Sequence, residues 1–136
     1  MTTQYRNLIV TAEPAEPTQS PYTGELAPCW TVTVTRTKYP DRTASMQFFC
    51  APTYEITTRR GLLRTLLSLC QCAQDGGMNL SEFRAVVAPF YENQYRGEVY
   101  THYRDLRATL LNVLPNKYSL NTLIRALRHD IPNIHD

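Results

Sequence analysis

Four cysteines, at positions 29, 50, 70 and 72, and three histidines, at 102, 129 and 135, are the residues whose types could support nucleophilic or metal chemistry. A thiol attacks or ligates as its thiolate, which requires a neighbouring base, cation or metal to draw the proton off. The spacing supplies none. Cys70 and Cys72 form a CxC whose members lie about 200° apart around a helix, a poor clamp for a tetrahedral ion. Cys29 and Cys50 fall in segments of strand character, so all four read as small hydrophobes, and folding alone would have to bring any of them to His102. His129 and His135 lie at or after the end of the last helical segment and His102 among polar residues, which makes each a solvated imidazole. There is no GxGxxG, P-loop, HExxH or GxSxG pattern, and only five glycines are present to shape a phosphate-binding turn. These residues predict no catalytic group, no metal site and no cofactor, and the expectation is a protein that is not an enzyme.

The binding chemistry lies elsewhere. Arg59, Arg60 and Arg64 crowd the start of one helical segment, Arg104 and Arg107 share a face of another, and Arg125 and Arg128 share a face of the last. The planar guanidinium fork grips carboxylates and phosphates bidentately, so adjoining surfaces would form a patch for an acidic protein or a nucleic acid. Asp105, Asp130 and Glu98 could partly neutralise it. Tyr91, Tyr95, Tyr100, Tyr103 and Tyr118 cluster in the same region with Phe90, and tyrosine is favoured at interfaces for its large face and single polar tip. The predicted partner-binding residues are Arg59, Arg60, Arg64, Tyr91, Tyr95, Arg104 and Arg107.

The elements that must position them are legible from periodicity. In Cys29-Trp-Thr-Val-Thr-Val-Thr-Arg36, Trp30, Val32 and Val34 alternate with threonines, and Ala44, Met46, Phe48 and Cys50 repeat the pattern after a connection containing Pro40 and Asp41. Period-two alternation across such a turn predicts an antiparallel hairpin. Leu8-Ile9-Val10 within residues 4–13 offers a further strand. Residues 14–28 carry four prolines and read as a long loop or linker. A first helix follows a cap at Thr57 or Thr58, with Leu62, Leu63, Leu66, Leu67, Cys70 and Ala73 inward, and stops at Asp75-Gly-Gly77. Asn79 and Glu82 make a capping box for a short second helix with Phe83, Val86 and Val87 buried. Val99, Tyr103, Leu106, Leu110 and Val113 define a third helix, and Leu120, Leu123, Ile124 and Leu127 a fourth beginning at a cap on Ser119. The expected fold is α+β, a small antiparallel sheet of two or three strands covered by three to four helices, in a single domain spanning 1–136.

The length of 136 residues suffices for a core without metal or disulfide staples. The net charge of +2 hides an asymmetry: residues 1–28 carry Arg6 against Glu13, Glu16 and Glu25, and the remainder is basic by four charges. That excess suits an acidic partner and is small for a nucleic-acid domain. The first residues lack an apolar signal core and no apolar run approaches the ~20 residues of a membrane span, so a cytoplasmic protein without a membrane anchor is expected.

Taken in order, Trp30-Thr-Val-Thr-Val-Thr-Arg36, Ser45-Met-Gln-Phe-Phe49, Leu66 to Ala73, Leu80-Ser-Glu-Phe83 and Tyr91-Glu-Asn-Gln-Tyr95 resemble a group of short accessory proteins carried by phages and prophages. The resemblance covers roughly residues 29–114. It implies a mobile-element origin and the function common among such proteins, inhibition of a host defence system, as in anti-CRISPR proteins. The expected partner is then a bacterial defence protein or ribonucleoprotein inside the host cell. A small nucleic-acid-binding regulator working through Arg59, Arg60, Arg64, Arg104 and Arg107 is the alternative, and a cysteine-dependent enzyme the third reading.

Overall fold

The computed structural model describes residues 1–49, 56–87, 96–114 and 118–135, without the side chains of Arg96 and Tyr118. Four strands, β1 (Thr2–Tyr5), β2 (Leu8–Gln19), β3 (Leu26–Arg36) and β4 (Tyr39–Phe49), form an antiparallel meander in the order β1-β2-β3-β4. Four helices follow: α1 (Arg59–Asp75), α2 (Leu80–Val86), α3 (Arg96–Val113) and α4 (Tyr118–Asp130), the last running into a 3₁₀ turn at Ile131–Asn133. The architecture is α+β.

Alternation decides which sheet face is covered. Leu8, Val10, Ala12, Val32, Val34, Ala44 and Met46 are buried beneath the helices, while Thr11, Thr33 and Ser45 lie in register across the opposite face. Hydroxyl pairs such as Thr33–Ser45 at 3.2 Å and Thr35–Thr43 at 3.1 Å couple the strands on that face. Trp30 keeps the predicted side but is only half-buried, packed at the margin of the core.

The proline-rich segment is not a linker. Residues 14–19 belong to β2 and 26–28 to β3, leaving a short turn at 20–25. The prolines fit because of where their missing donors fall. Ala12 exchanges both backbone hydrogen bonds with Met1, so the nitrogen of Pro14, two residues on, points to the same side, where β1 has run out. Pro17 falls in an irregularity between Ala15 and Thr18, and the Glu16 carbonyl freed there accepts the Cys29 thiol at 3.4 Å. The strand count therefore exceeds the expected two or three, since β1 is too short to show a pattern.

The helices match their periodicities with local exceptions. Thr58 caps α1 and Asn79 caps α2, each accepting a backbone N–H from the residue three positions on. Phe83 is the buried residue of α2, set edge-on to Tyr100 and Tyr103, whereas Val86, predicted inward, is exposed. The helix α4 begins at Tyr118 and already includes Ser119, which is therefore not the residue ahead of its first turn. Gly76 and Gly77 end α1 as predicted, without the left-handed cap conformation: neither adopts a positive φ, which among the glycines is confined to Gly24. A Cβ on Gly76 would stand 2.3 Å from the Tyr103 carbonyl oxygen of α3. The absence of a side chain is what lets α1 and α3 close on each other.

The far end of the molecule is held by charge and hydrogen bonds. Tyr5 donates to Asp130 at 2.7 Å, and Arg6, which takes φ 52 in the β1–β2 turn, reaches the same carboxylate at 3.1 Å. The Tyr5 hydroxyl, then His129 and Arg6, hold the Asp130 carboxyl well below the usual carboxylate range, while burial and Asp130 push Tyr5 up to about 12.

Two predictions follow from this packing. Gly76→Ala should destabilise by about 1–3 kcal/mol because its obstacle is backbone, while Gly97→Ala, with nothing within 4 Å of the added methyl, should stabilise by about 0.5–1 kcal/mol; urea midpoints measure both. The Asp130 contribution is complete above the unfolded carboxyl range near pH ~4 and is lost progressively as pH falls below it towards the depressed folded value, and that of Tyr5 is complete below ~10 and lost as pH rises towards 12. Asp130→Asn should therefore flatten the acid limb of a stability–pH profile, and Tyr5→Phe the alkaline limb.

Candidate functional site

The close passage of α1 over α3 creates a groove on one flank of α3. Its walls are the α1–α2 turn, with Gly76, Gly77 and Asn79, and the row of exposed Arg104 with half-buried Tyr100, Arg107 and Leu111, enclosing about 490 Å³. Helical spacing of three and four residues puts these α3 side chains on one stripe. The Tyr100 ring packs on Phe83 and its hydroxyl donates to the Met78 carbonyl at 3.2 Å, which fixes the platform. Arg104 lies over that ring with its guanidinium carbon 5.6 Å from the centroid, leaving its N–H fork towards solvent. Arg107 is half-buried: its Nη1 donates to the Ala73 carbonyl at 3.5 Å, the one among the last four α1 carbonyls that the Gly76, Gly77 and Met78 N–H groups do not take, and it lies so close to Gly77 that a Cβ there would meet it at 2.8 Å. Among the described residues neither arginine pairs with a carboxylate. Asp130, expected to offset the arginines, is instead engaged by Arg6.

The other predicted arginines do not join this groove. Arg59 donates to Thr3 at 3.0 Å and to the Gln4 carbonyl, tying α1 to β1, and Arg60 donates to the Pro132 carbonyl at 3.2 Å. Both sit at the opposite end of α1, on the order of 20 Å away at 1.5 Å per residue. Arg64 is exposed one turn further along. The arginines thus form two sets, and the first works largely as an internal brace. Tyr91 and Tyr95 lie outside the described residues.

On the other flank of α3, folding brings together what spacing kept apart. Cys72, His102 and Tyr103 line one small cavity with Tyr22 and Phe49. His102 is half-buried rather than solvated, and desolvation lowers its pKa against the opposing pull of Asp105. Burial pushes the Cys70 thiol up to about 12 and raises Cys72 too, although a hydrogen bond with Tyr103 works the other way. A thiol held protonated beside a neutral imidazole is not an activated nucleophile. Cys29, Cys70 and Cys72 are free thiols, Cys50 lies outside the described residues, and among the described residues no three His, Cys, Asp or Glu side chains converge as a metal site. His129 and His135 are exposed, as expected. Tyr22 was missed in the sequence because its segment carries no periodicity, and its place in the 20–25 turn depends on Ser20, whose Oγ accepts the Tyr22 N–H at 3.1 Å.

Comparison with known proteins finds no matching family model, no matching curated protein and no matching solved structure. None of the helices among the described residues is long and apolar enough to cross a membrane.

The thiol environment is directly measurable. At pH ~8, Cys70 and Cys72 in the native protein should be alkylated by iodoacetamide at least about tenfold more slowly than in the urea-unfolded chain, because burial suppresses the thiolate. Mass spectrometry of timed digests reads each rate, and faster labelling of native Cys72 would mark it as an activated nucleophile.

Proposed function

We propose that the protein is a non-enzymatic binding protein whose Arg104–Arg107 groove receives an acidic surface of a partner protein. The observation that carries this reading is Arg104 lying over the Tyr100 ring with its fork open to solvent and Arg107 beside it in the same groove, with no carboxylate neutralising either among the described residues. A guanidinium supported on an aromatic face loses little freedom when it meets a carboxylate, which favours such a site as an anchor. Together with the phage-like sequence order of the hairpin and helices, this favours an inhibitor that occupies a bacterial defence complex, with a CRISPR effector as the first target to test. Nucleic-acid regulation is less favoured, because the arginines are divided between two ends of α1 and those at the first end are bound to backbone and threonine oxygens.

The test is a titration of fluorescently labelled protein with a purified CRISPR effector ribonucleoprotein and, separately, with a short DNA duplex. Saturation by the effector at a simple integer ratio, weakened at least about tenfold by Arg104→Glu, is the expected outcome for a hot-spot arginine. Tight duplex binding that falls steeply with salt would instead signal phosphate contacts and the regulator reading.

A further inference from the structure

The Arg104–Arg107 groove holds more positive charge than one carboxylate can answer. Its described lining contains no acidic residue. Of the acids that flank the α1–α2 turn, Glu82 accepts the Asn79 amide and Asp75 acts electrostatically on Cys72, on the other flank of α3. The N–H groups of Gly76, Gly77 and Met78 go to the Cys72, Gln74 and Asp75 carbonyls, so the turn leaves recognition to the guanidinium groups. Among the described residues Arg104 spends none of its N–H groups, and Arg107 only the one on the Ala73 carbonyl. Side chains three positions apart on a helix leave the backbone about 5–6 Å from each other, within reach of a single group held between them.

The shape and charge of that group follow. A carboxylate is planar and offers one bidentate edge, which engages one guanidinium and leaves the second cation without a counter-charge. A phosphoryl group offers three acceptor oxygens and about −1.5 to −2 charges at pH 7, enough for a fork on each side. Two carboxylates would match that charge only by ordering two side chains and bringing like charges together. Met78, Ala108 and Leu111 give the same groove an apolar stretch for the stem that bears the group.

We propose that the groove between the α1–α2 turn and α3 is a phosphoryl-binding site, with Arg104 and Arg107 as its clamp. This assignment rests on the reading of the groove as the anchor for an acidic partner, and it narrows the acid to a phosphoryl group. The group can come from a phosphorylated protein side chain or from free phosphate, which present the same oxygens and charge.

The experiment is an NMR titration of the full chain, followed at the Nε–H signals of Arg104 and Arg107. The probes are inorganic phosphate, a short peptide with one phosphoserine, and the same peptide with a Glu-Glu pair in its place. Phosphate or the phosphopeptide should give saturable shifts of both signals, with the Glu-Glu peptide at least about tenfold weaker. Tighter binding of the phosphopeptide than of phosphate identifies a protein side chain as the source, and binding of phosphate at least as tight identifies the free ion; either supports the site. Arg104→Gln should weaken phosphate binding about tenfold, and Arg107→Lys, which keeps the charge and removes the planar fork, at least about threefold, with the amide spectrum reporting fold. Binding of the Glu-Glu peptide as tight as that of the phosphopeptide would overturn the phosphoryl assignment and leave the acidic anchor standing. Undiminished phosphate binding in folded Arg104→Gln would overturn the clamp, and no saturable shift with any of the three probes would remove the anchor as well.

Discussion

The approach of α1 to the backbone of α3 at Gly76 organises the molecule. No side chain separates the two helices there, so the end of α1 rests on the Tyr103 carbonyl. This contact turns α3 into a partition with chemistry on each flank. Arg104 and Arg107 emerge on one side against the α1–α2 turn, and His102 with Tyr103 on the other against Cys72. The short α2 depends on the same geometry, because Phe83 has Tyr100 and Tyr103 as its aromatic bed. Helix stability of this kind comes from packing rather than propensity, since seven residues are too few to hold a helix in water.

Much of this was readable from residue order, and the parts that were not have specific causes. The α3 stripe Val99, Tyr103, Leu106, Leu110 and Val113 is wholly buried, and the Thr-Val alternation of β3 placed its faces correctly. Residues 14–28 misled because proline is counted as a strand breaker without regard to which edge its missing donor faces. Val86 failed because a helix of two turns buries only the residue aimed at its neighbour. The glycine pair ends α1 where a stop was expected, and the close approach of Gly76 to α3 is a second role that local pattern does not show.

The site residues show the same division. Arg104 and Arg107 share a face by helical spacing alone, so their adjacency needed no tertiary information. Arg59 and Arg60 look equivalent in sequence, yet the carbonyls of Gln4 and Pro132 claim them, and those partners lie 55 and 72 residues away. Long-range pairing is invisible to local pattern. His102 illustrates the converse, since its polar sequence neighbours suggested water while the turn at Tyr22 and the end of β4 cover it with rings.

Pro14 carries a consequence beyond the shape of β2. An exposed strand edge normally invites another chain to extend the sheet, and the outer side of β2 past Ala12 is such an edge, deprived of a donor where a newcomer would need one. The edge strand β4 carries Pro40, Asp41 and Arg42 directly after its first residue, a similar deterrent at the other side of the meander. Where the edges discourage backbone templating in this way, recognition falls to side-chain identity rather than to peptide-group complementarity. On the proposed reading as a binding protein, discrimination then rests on a small number of replaceable residues, so specificity can drift by point substitution while the sheet stays as it is.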